Sequence, residues 1–130
     1  MHNLEIQRRI GLSAVMRGIE IDVLEAIGIT KERYAGRSFC IVSEWVWVDL
    51  DAPDLVNEGL AAQGKKPVML LAFNVLFDSM GTFKPGEWLR TTPMVKFVDG
   101  MFFHTQNKIY VLTGQGRQKS MSLSTVVRTF

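Results

Sequence analysis

The sequence is poor in residues that would indicate a disulfide, a membrane segment or a secretion signal. Cys40 is the only cysteine, so no disulfide can form within the chain, and a small domain without disulfides is typical of the reducing cytoplasm. The longest nearly apolar run, residues 68–77, spans ten residues and contains Asn74, whereas a membrane helix needs about twenty. The first residues, MHNLEIQRR, carry charges where the apolar part of a signal would begin. We therefore predict a soluble, cytoplasmic protein that does not engage a membrane.

Few residues indicate a reaction or a cofactor. The two histidines, His2 and His104, form no spacing typical of a metal site with the other candidate ligands. The segment GQGRQK, residues 114–119, lacks the G-x-x-x-x-G-K-[ST] pattern of a phosphate loop, and we interpret it as a flexible basic loop before the last helix. Cys40 has apolar neighbours and is expected to be a small buried hydrophobe. The sequence predicts no cofactor and no metal site, and no catalytic residue can be assigned.

The chain has 130 residues, which is the length of one domain, and we predict a single domain over 1–130. Charge is unevenly distributed along it. Residues 1–83 hold eight Lys/Arg and eleven Asp/Glu, while residues 84–130 hold seven Lys/Arg and two Asp/Glu. A basic half of this kind favours a protein partner with an acidic surface. The alternative is that these charges only keep exposed strands and turns in water.

Short β-rich runs separated by turns occupy residues 67–116. Asp99-Gly100 between two apolar runs is a strong hairpin signal, and Lys84-Pro85-Gly86-Glu87 fits a type II turn. We predict an α+β fold with a twisted antiparallel sheet of about five or six strands, curled toward a small partly closed barrel, and helices packed on one face. Residues 1–37 are predicted to be a helical N-terminal region. Residues 38–130 are predicted to be the sheet with one inserted helix and a short C-terminal helix.

The helices have sequence signals at their ends. We predict a helix over 20–27 ended by Gly28 and a short helix over 31–35 capped by Thr30. Asp51 is expected to cap the inserted helix, 52–63, and Ser122 the last one, 123–130.

Residues 38–50 give the clearest strand signal. A period of two places Phe39, Ile41, Ser43, Trp45 and Trp47 on one face, and Cys40, Val42, Glu44, Val46 and Val48 on the other. Because both faces are largely apolar, we expect a central strand covered on both sides. The two tryptophans are expected to pack under a helix, with an exposed aromatic platform as the alternative.

One set of residues has a chemistry suited to binding. Basic side chains in the second half of the chain alternate with aromatic ones, and His104 lies in a predicted strand among them. The predicted binding residues are Arg90, Lys96, Lys108, Arg117, Lys119, Trp88 and His104.

Two other functions stay open from the sequence. A small enzyme would gather His104, Thr105 or Asp78 on the concave face of the sheet. A nucleic-acid binder would combine the basic residues with stacking aromatics, here Trp88, Phe97, Phe102, Phe103 and Tyr110.

Four ordered segments resemble an uncharacterised family of small proteins from gammaproteobacteria and their prophages. They are FCIVSEWVWVD (39–49), GKKPVMLLAFNVLFDSMGTF (64–83), GEWLRTTPMVKF (86–97) and DGMFFHTQNKIYVLTGQGRQK (99–119). They contain a W-x-W-x-D strand and the later pattern D-G-x-x-F-x-T-x-N-x-x-Y-V-L-x-G-x-G, and residues 1–37 carry none of the resemblance. The resemblance implies a bacterial or phage origin and supplies no catalytic residues. We therefore expect a non-enzymatic binding module, such as a prophage protein that modulates its host or inhibits a defence complex, and a homo-oligomer stays open.

Overall fold

The computed structural model describes Gly11 and residues 13–130. Within these residues the helices are α1 (Val23–Arg33), α2 (Asp54–Ala62) and α3 (Leu123–Thr129). The strands are β1 (Ala14–Met16), β2 (Phe39–Asp51), β3 (Val68–Asp78), β4 (Leu89–Arg90), β5 (Lys96–Val98), β6 (Phe102–His104), β7 (Ile109–Leu112) and β8 (Gly116–Ser122). The part of the predicted helical region that precedes Gly11 lies outside the described residues.

All eight strands belong to one sheet, with β2 at its centre. One edge of β2 pairs with β3 along nearly its whole length. Its other edge pairs in parallel with β7 over 39–42 and again in parallel with β8 over 46–51. The chain reaches β7 through the β5–β6–β7 meander and then runs beside β2 in the same direction. The predicted α+β fold and twisted sheet are confirmed; the sheet is mixed because of these two parallel pairings and has more strands than predicted.

The sheet curls into a half-barrel around an interior without helical residues. The edge strands β1, β4 and β5 supply Met16, Leu89 and Phe97 to one cluster with central residues such as Val42 and Leu112. A flat sheet could not bring residues from its opposite edges into one cluster. The interior of the half-barrel is therefore a packed core, filled by side chains from nearly every strand.

Helices α1 and α3 pack on the outer face of the sheet, as predicted. Ala26 of α1 is buried against Ile41, Phe102 and Val111. Val126 of α3 is buried in a second cluster, against the C-terminal half of β2 and its neighbour β3. In contrast, no residue of α2 is buried.

The faces of β2 are not those that a period of two predicts, because the alternation changes phase at Glu44. Before it, Phe39 and Ile41 face the helices; after it, Val46 and Val48 do. Glu44 has a φ of +50°, a left-handed conformation that an extended strand does not have. Trp45 therefore lies in the half-barrel interior, and the prediction that Trp45 and Trp47 pack under a helix was wrong. The prediction of a central strand covered on both sides is confirmed.

The segment 114–119 is not a flexible loop, since Gly116 begins β8. The strand is held on both edges, by β1 on one side and by β2 on the other. Two glycines make room there for the Trp45 indole: a Cβ on Gly116 would lie 2.3 Å from its ring atoms, and a Cβ on Gly18 would lie 2.9 Å away. The indole N–H donates to the carbonyl of Thr113 at 3.0 Å. These non-local contacts outweigh the low strand propensity of the local sequence.

The N-terminal region also differs from the prediction. Residues 14–16 are strand β1 rather than helix. Helix α1 runs through Gly28 without a break, and Thr30 does not start a new helix. Its hydroxyl donates to the Ala26 carbonyl one turn back, at 2.7 Å, a bond available only inside a helix. Asp22 caps α1 instead, through its carboxylate and the N–H of Glu25 at 2.8 Å.

Several local predictions are confirmed. Gly86 has a φ of +88°, and the N–H of Glu87 donates to the Lys84 carbonyl, as a type II turn requires. Asp99 and Gly100 both have positive φ in the β5–β6 hairpin. Ser122 caps α3. The prediction that Asp51 caps the inserted helix was wrong, since Pro53 occupies the N-cap position of α2 and no side chain forms a cap hydrogen bond there. No helix among the described residues has the length and apolar character that crossing a membrane would require.

Candidate functional site

The structure separates the predicted binding residues rather than gathering them in one patch. Arg90 reaches across to α3, where its guanidinium donates to the carbonyls of Phe130 at 3.2 Å and Val126 at 3.5 Å. It thereby satisfies carbonyls at a helix C-terminus, a structural role. Trp88 precedes β4 and is 45% exposed. Of the predicted aromatic residues, Phe102 and Phe103 are fully buried, and Tyr110 is nearly so.

Lys108, one of the predicted binding residues, forms a buried ion pair with Asp78. Its ammonium lies 2.5 Å from a carboxylate oxygen of Asp78, and the Asp78 side chain is fully buried. Lys108 also lies over the ring of Phe83. Burial alone would raise the pKa of Asp78, but the Lys108 ammonium and the backbone N–H of Phe83 lower it below its ordinary value. Such a pair fixes the end of β3 against the β6–β7 turn.

Two groups near this ion pair stay neutral. Burial raises the pKa of the Cys40 thiol to about 12, with a smaller contribution from the Asp78 charge. Burial also raises the pKa of Tyr110 to about 12. A thiol this resistant to ionisation is a poor nucleophile.

Arg117 and Lys119 lie in β8, on the strand that was expected to be a loop. Arg117 pairs across the ladder with Val15 of β1, and its guanidinium donates to the hydroxyl of Ser13 at 3.4 Å. These residues are half-buried. Arg117 and Lys119 lie away from the remaining predicted residues, Lys96 and His104. Those two are brought together, because they pair directly across β5 and β6.

His104 lies near three cations, Lys96, Arg37 and Arg33. His104 is 3% exposed, and its Nε2 lies 3.2 Å from the hydroxyl of Tyr34, which follows the last residue of α1. Burial lowers the pKa of His104, and the positive charges of Lys96, Arg37 and Arg33 lower it further. His104 is therefore neutral at pH 7, and the charge of this surface comes from the residues around it.

Only one of the cations near His104 has an acidic partner among the described residues. Arg33 pairs with Asp99. No described carboxylate lies within ion-pair distance of Lys31, Arg37 or Lys96. We refer to Lys31, Arg37 and Lys96 as the basic patch. Like charges held on one surface repel one another and attract anions.

A shallow cavity of about 430 Å³ lies beside the basic patch. The residues that line it include Tyr34, the buried Phe39 and Met80, which is 69% exposed. Lys31 and Arg37 line it, and no acidic residue does. We refer to this cavity as the Tyr34 pocket.

The sequence prediction missed most of this site. Lys96 and His104 were predicted, but Lys31, Tyr34 and Arg37 were not, because they were interpreted as a short helix and its end. The signal was present: the segment KERYAGR, residues 31–37, places three basic residues around a tyrosine. Basic residues at a helix C-terminus usually complement the helix dipole, so the pattern alone does not indicate a site.

The arrangement needed for an enzyme is not formed by the predicted residues. The hydroxyl of Thr105 bonds the carbonyl of Lys108 within a turn, at 3.0 Å. Asp78 is paired with Lys108, and His104 is bonded to Tyr34 on the outer, helical face of the sheet. Asp78 and Thr105 thus share Lys108 as a structural partner, while His104 has Tyr34. Among the residues that the structure describes, no three His, Cys, Asp or Glu side chains are placed to hold a metal ion.

Comparison with known proteins places the chain in a family. Residues 17–128 match the domain of unknown function DUF6957. The chain belongs to the DUF6957 family. The match begins at Arg17, so the DUF6957 domain includes α1 and its basic residues, which the sequence resemblance did not cover. No curated protein and no solved structure matches this chain. The prediction of an uncharacterised family is confirmed at this level, and the gammaproteobacterial or prophage origin stays a prediction.

Proposed function

We propose that this protein is a non-enzymatic binding module that recognises an acidic surface of a protein partner through the basic patch. The observation that carries the proposal is that Arg37 lines the Tyr34 pocket with Lys31 and acts on His104 together with Lys96, and that none of the three has a described carboxylate partner. Positive charges on neighbouring parts of a surface repel one another, and an anionic partner relieves that repulsion. The same field accelerates association with an acidic protein.

The proposal favours a protein over a nucleic acid because of where the aromatic residues lie. Binding of single strands needs aromatic faces that are open to bases. Phe102 and Phe103 are in the core, and one face of Tyr34 is covered by the guanidinium of Arg33, 5.7 Å from the ring centroid. Only Trp88 among the predicted stacking residues is largely exposed.

The test compares two triple variants that remove the same charge. One carries Lys31→Gln, Arg37→Gln and Lys96→Gln; the control carries Lys65→Gln, Lys66→Gln and Lys84→Gln, three lysines outside the patch. Tagged proteins are used to capture partners from a gammaproteobacterial lysate at low salt. We expect a stoichiometric partner that the control retains, that the patch variant loses and that elutes as salt rises. Absence of such a partner, or equal capture by the patch variant, would contradict the proposal.

We also propose that the partner is a host protein and that the module acts as a prophage-encoded modulator or inhibitor of host defence. The resemblance to prophage proteins supports this part. Expression of the protein in a host that restricts a phage should raise the plating efficiency of that phage, and the patch variant should not. An unchanged plating efficiency across several restricting hosts would count against an anti-defence role.

A further inference from the structure

Resting on the proposed function, we propose that the Tyr34 pocket receives one bulky apolar side chain from the partner, and that acidic residues flank this side chain in the partner sequence. The partner segment would then be acidic with a single apolar anchor. The pocket supplies apolar contact, and the basic patch supplies attraction for the flanking carboxylates.

The size and wall of the pocket suit an apolar anchor. A volume of about 430 Å³ falls within the range of about 300–1,000 Å³ that ligand pockets occupy. Phe39 is one of the lining residues, and its ring packs against that of Phe77, with ring centroids 5.7 Å apart. Met80 lies on a turn and is 69% exposed. Its flexible thioether can adjust to the shape of an inserted side chain.

The charges around the pocket specify acidic flanks. Lys31 and Arg37 line it and no acidic residue does, while Asp78, next to Ser79 in sequence, is turned inward to Lys108. The hydroxyl of Ser79 accepts a hydrogen bond from the N–H of Phe39 at 2.9 Å. No described group accepts the Ser79 hydroxyl hydrogen, so it can be donated to a carboxylate. An apolar anchor surrounded by a polar rim is the arrangement of a binding hot spot.

The experiment uses twenty fluorescein-labelled heptapeptides with acidic residues at six positions and each amino acid in turn at the centre. Fluorescence anisotropy gives the Kd of each peptide for the intact protein. We expect peptides with Phe, Leu, Trp or Met at the centre to bind about tenfold or more tighter than those with Ser or Gly, as burial of a large apolar side chain allows. A flat profile across the twenty centres, or no binding by any peptide, would overturn the inference.

Two tryptophan substitutions test the location. Ala35 is exposed and lines the pocket, so Ala35→Trp should fill it; Ala62→Trp places the same side chain at the exposed end of α2. We expect Ala35→Trp to abolish the tenfold preference for apolar centres while the Ser-centred peptide binds as before. Ala62→Trp should change neither the preference for apolar centres nor the binding of the Ser-centred peptide. Retention of the preference by Ala35→Trp would overturn the inference.

The failure of this inference is distinguishable from that of the proposed function. If all twenty peptides bind equally well and the patch variant binds them more weakly, the apolar anchor is refuted and the proposal of an acidic partner is retained. Binding insensitive to the patch variant would refute both. A labelled oligothymidylate that binds more tightly than any peptide would overturn both in favour of a nucleic acid.

Discussion

Trp45 determines how closely three segments of the chain approach one another. Its indole lies against Gly18, before α1, and Gly116, at the start of β8, and it donates to the carbonyl of Thr113 between β7 and β8. Any side chain at Gly116 would occupy the position of the ring. The glycine that made the sequence resemble a loop is there because the indole leaves no room for a Cβ.

We expect Gly116→Ala to destabilise the protein by about 1–3 kcal/mol or more, because a Cβ 2.3 Å from the Trp45 ring must displace the indole or the strand. Gly59→Ala is the matched control: Gly59 lies within α2 with open space around its Cβ position. That change should stabilise by about 0.5–1 kcal/mol, since alanine is the better helix former. Urea unfolding followed by tryptophan fluorescence measures both. Equal effects of the two substitutions would contradict the packing described for Trp45.

At the scale of elements, local signals predicted the turns well, while of the predicted N-caps only Ser122 was right and the strand β8 was missed. The type II turn at Pro85-Gly86 and the hairpin at Asp99-Gly100 depend on φ values that only a few residue types adopt readily. By contrast, β8 contains Gly116, Arg117 and Lys119, and its strand character depends on β1 and β2, which are distant in sequence. The phase change at Glu44 likewise has no local signal, because glutamate rarely adopts a positive φ.

The two aspartates near helix starts give a second prediction. Asp22→Ala should destabilise the protein by about 1 kcal/mol, because it removes the acceptor for the N–H of Glu25 at the start of α1. Asp51→Ala should change stability by less than about 0.5 kcal/mol, since no side-chain cap bond exists at α2. Thermal and urea unfolding of both variants check the difference. A larger loss from Asp51→Ala would mean that the sequence-predicted cap operates in solution.

At the scale of the whole molecule, the sequence predicted the fold class, and the site was only half predictable. Alternation and turns indicate a sheet with helices on one face, because burial of apolar faces leaves few other arrangements. The site depends on which surface residues the tertiary structure brings together. The meander pairs Lys96 with His104, whose side chain meets Tyr34 just after α1. No pattern within residues 31–37 or 96–104 shows that these two segments meet.

Acid should reduce the stability of the molecule in two steps. The pKa of folded His104 lies below its ordinary value of 6.5, so the unfolded chain takes up a proton first, and stability falls as pH drops from about 6.5. The pKa of folded Asp78 lies below 3.8, so its contribution is lost as pH falls below that value. Urea unfolding from about pH 7.5 down to about pH 3 measures both steps. His104→Gln should remove the first step and retain the second; persistence of the first step in that variant would contradict the assignment.

The position of β8 between β1 and β2 has a consequence for biosynthesis. Ala14–Met16 have no ladder partner until Gly116–Gln118 have left the ribosome, roughly a hundred residues later. Among the described strands the first must wait for the last, so the half-barrel is completed only once β8 has been synthesised. A nascent chain stalled before β8 would expose the Trp45 indole and one edge of β2, a surface on which chaperones act.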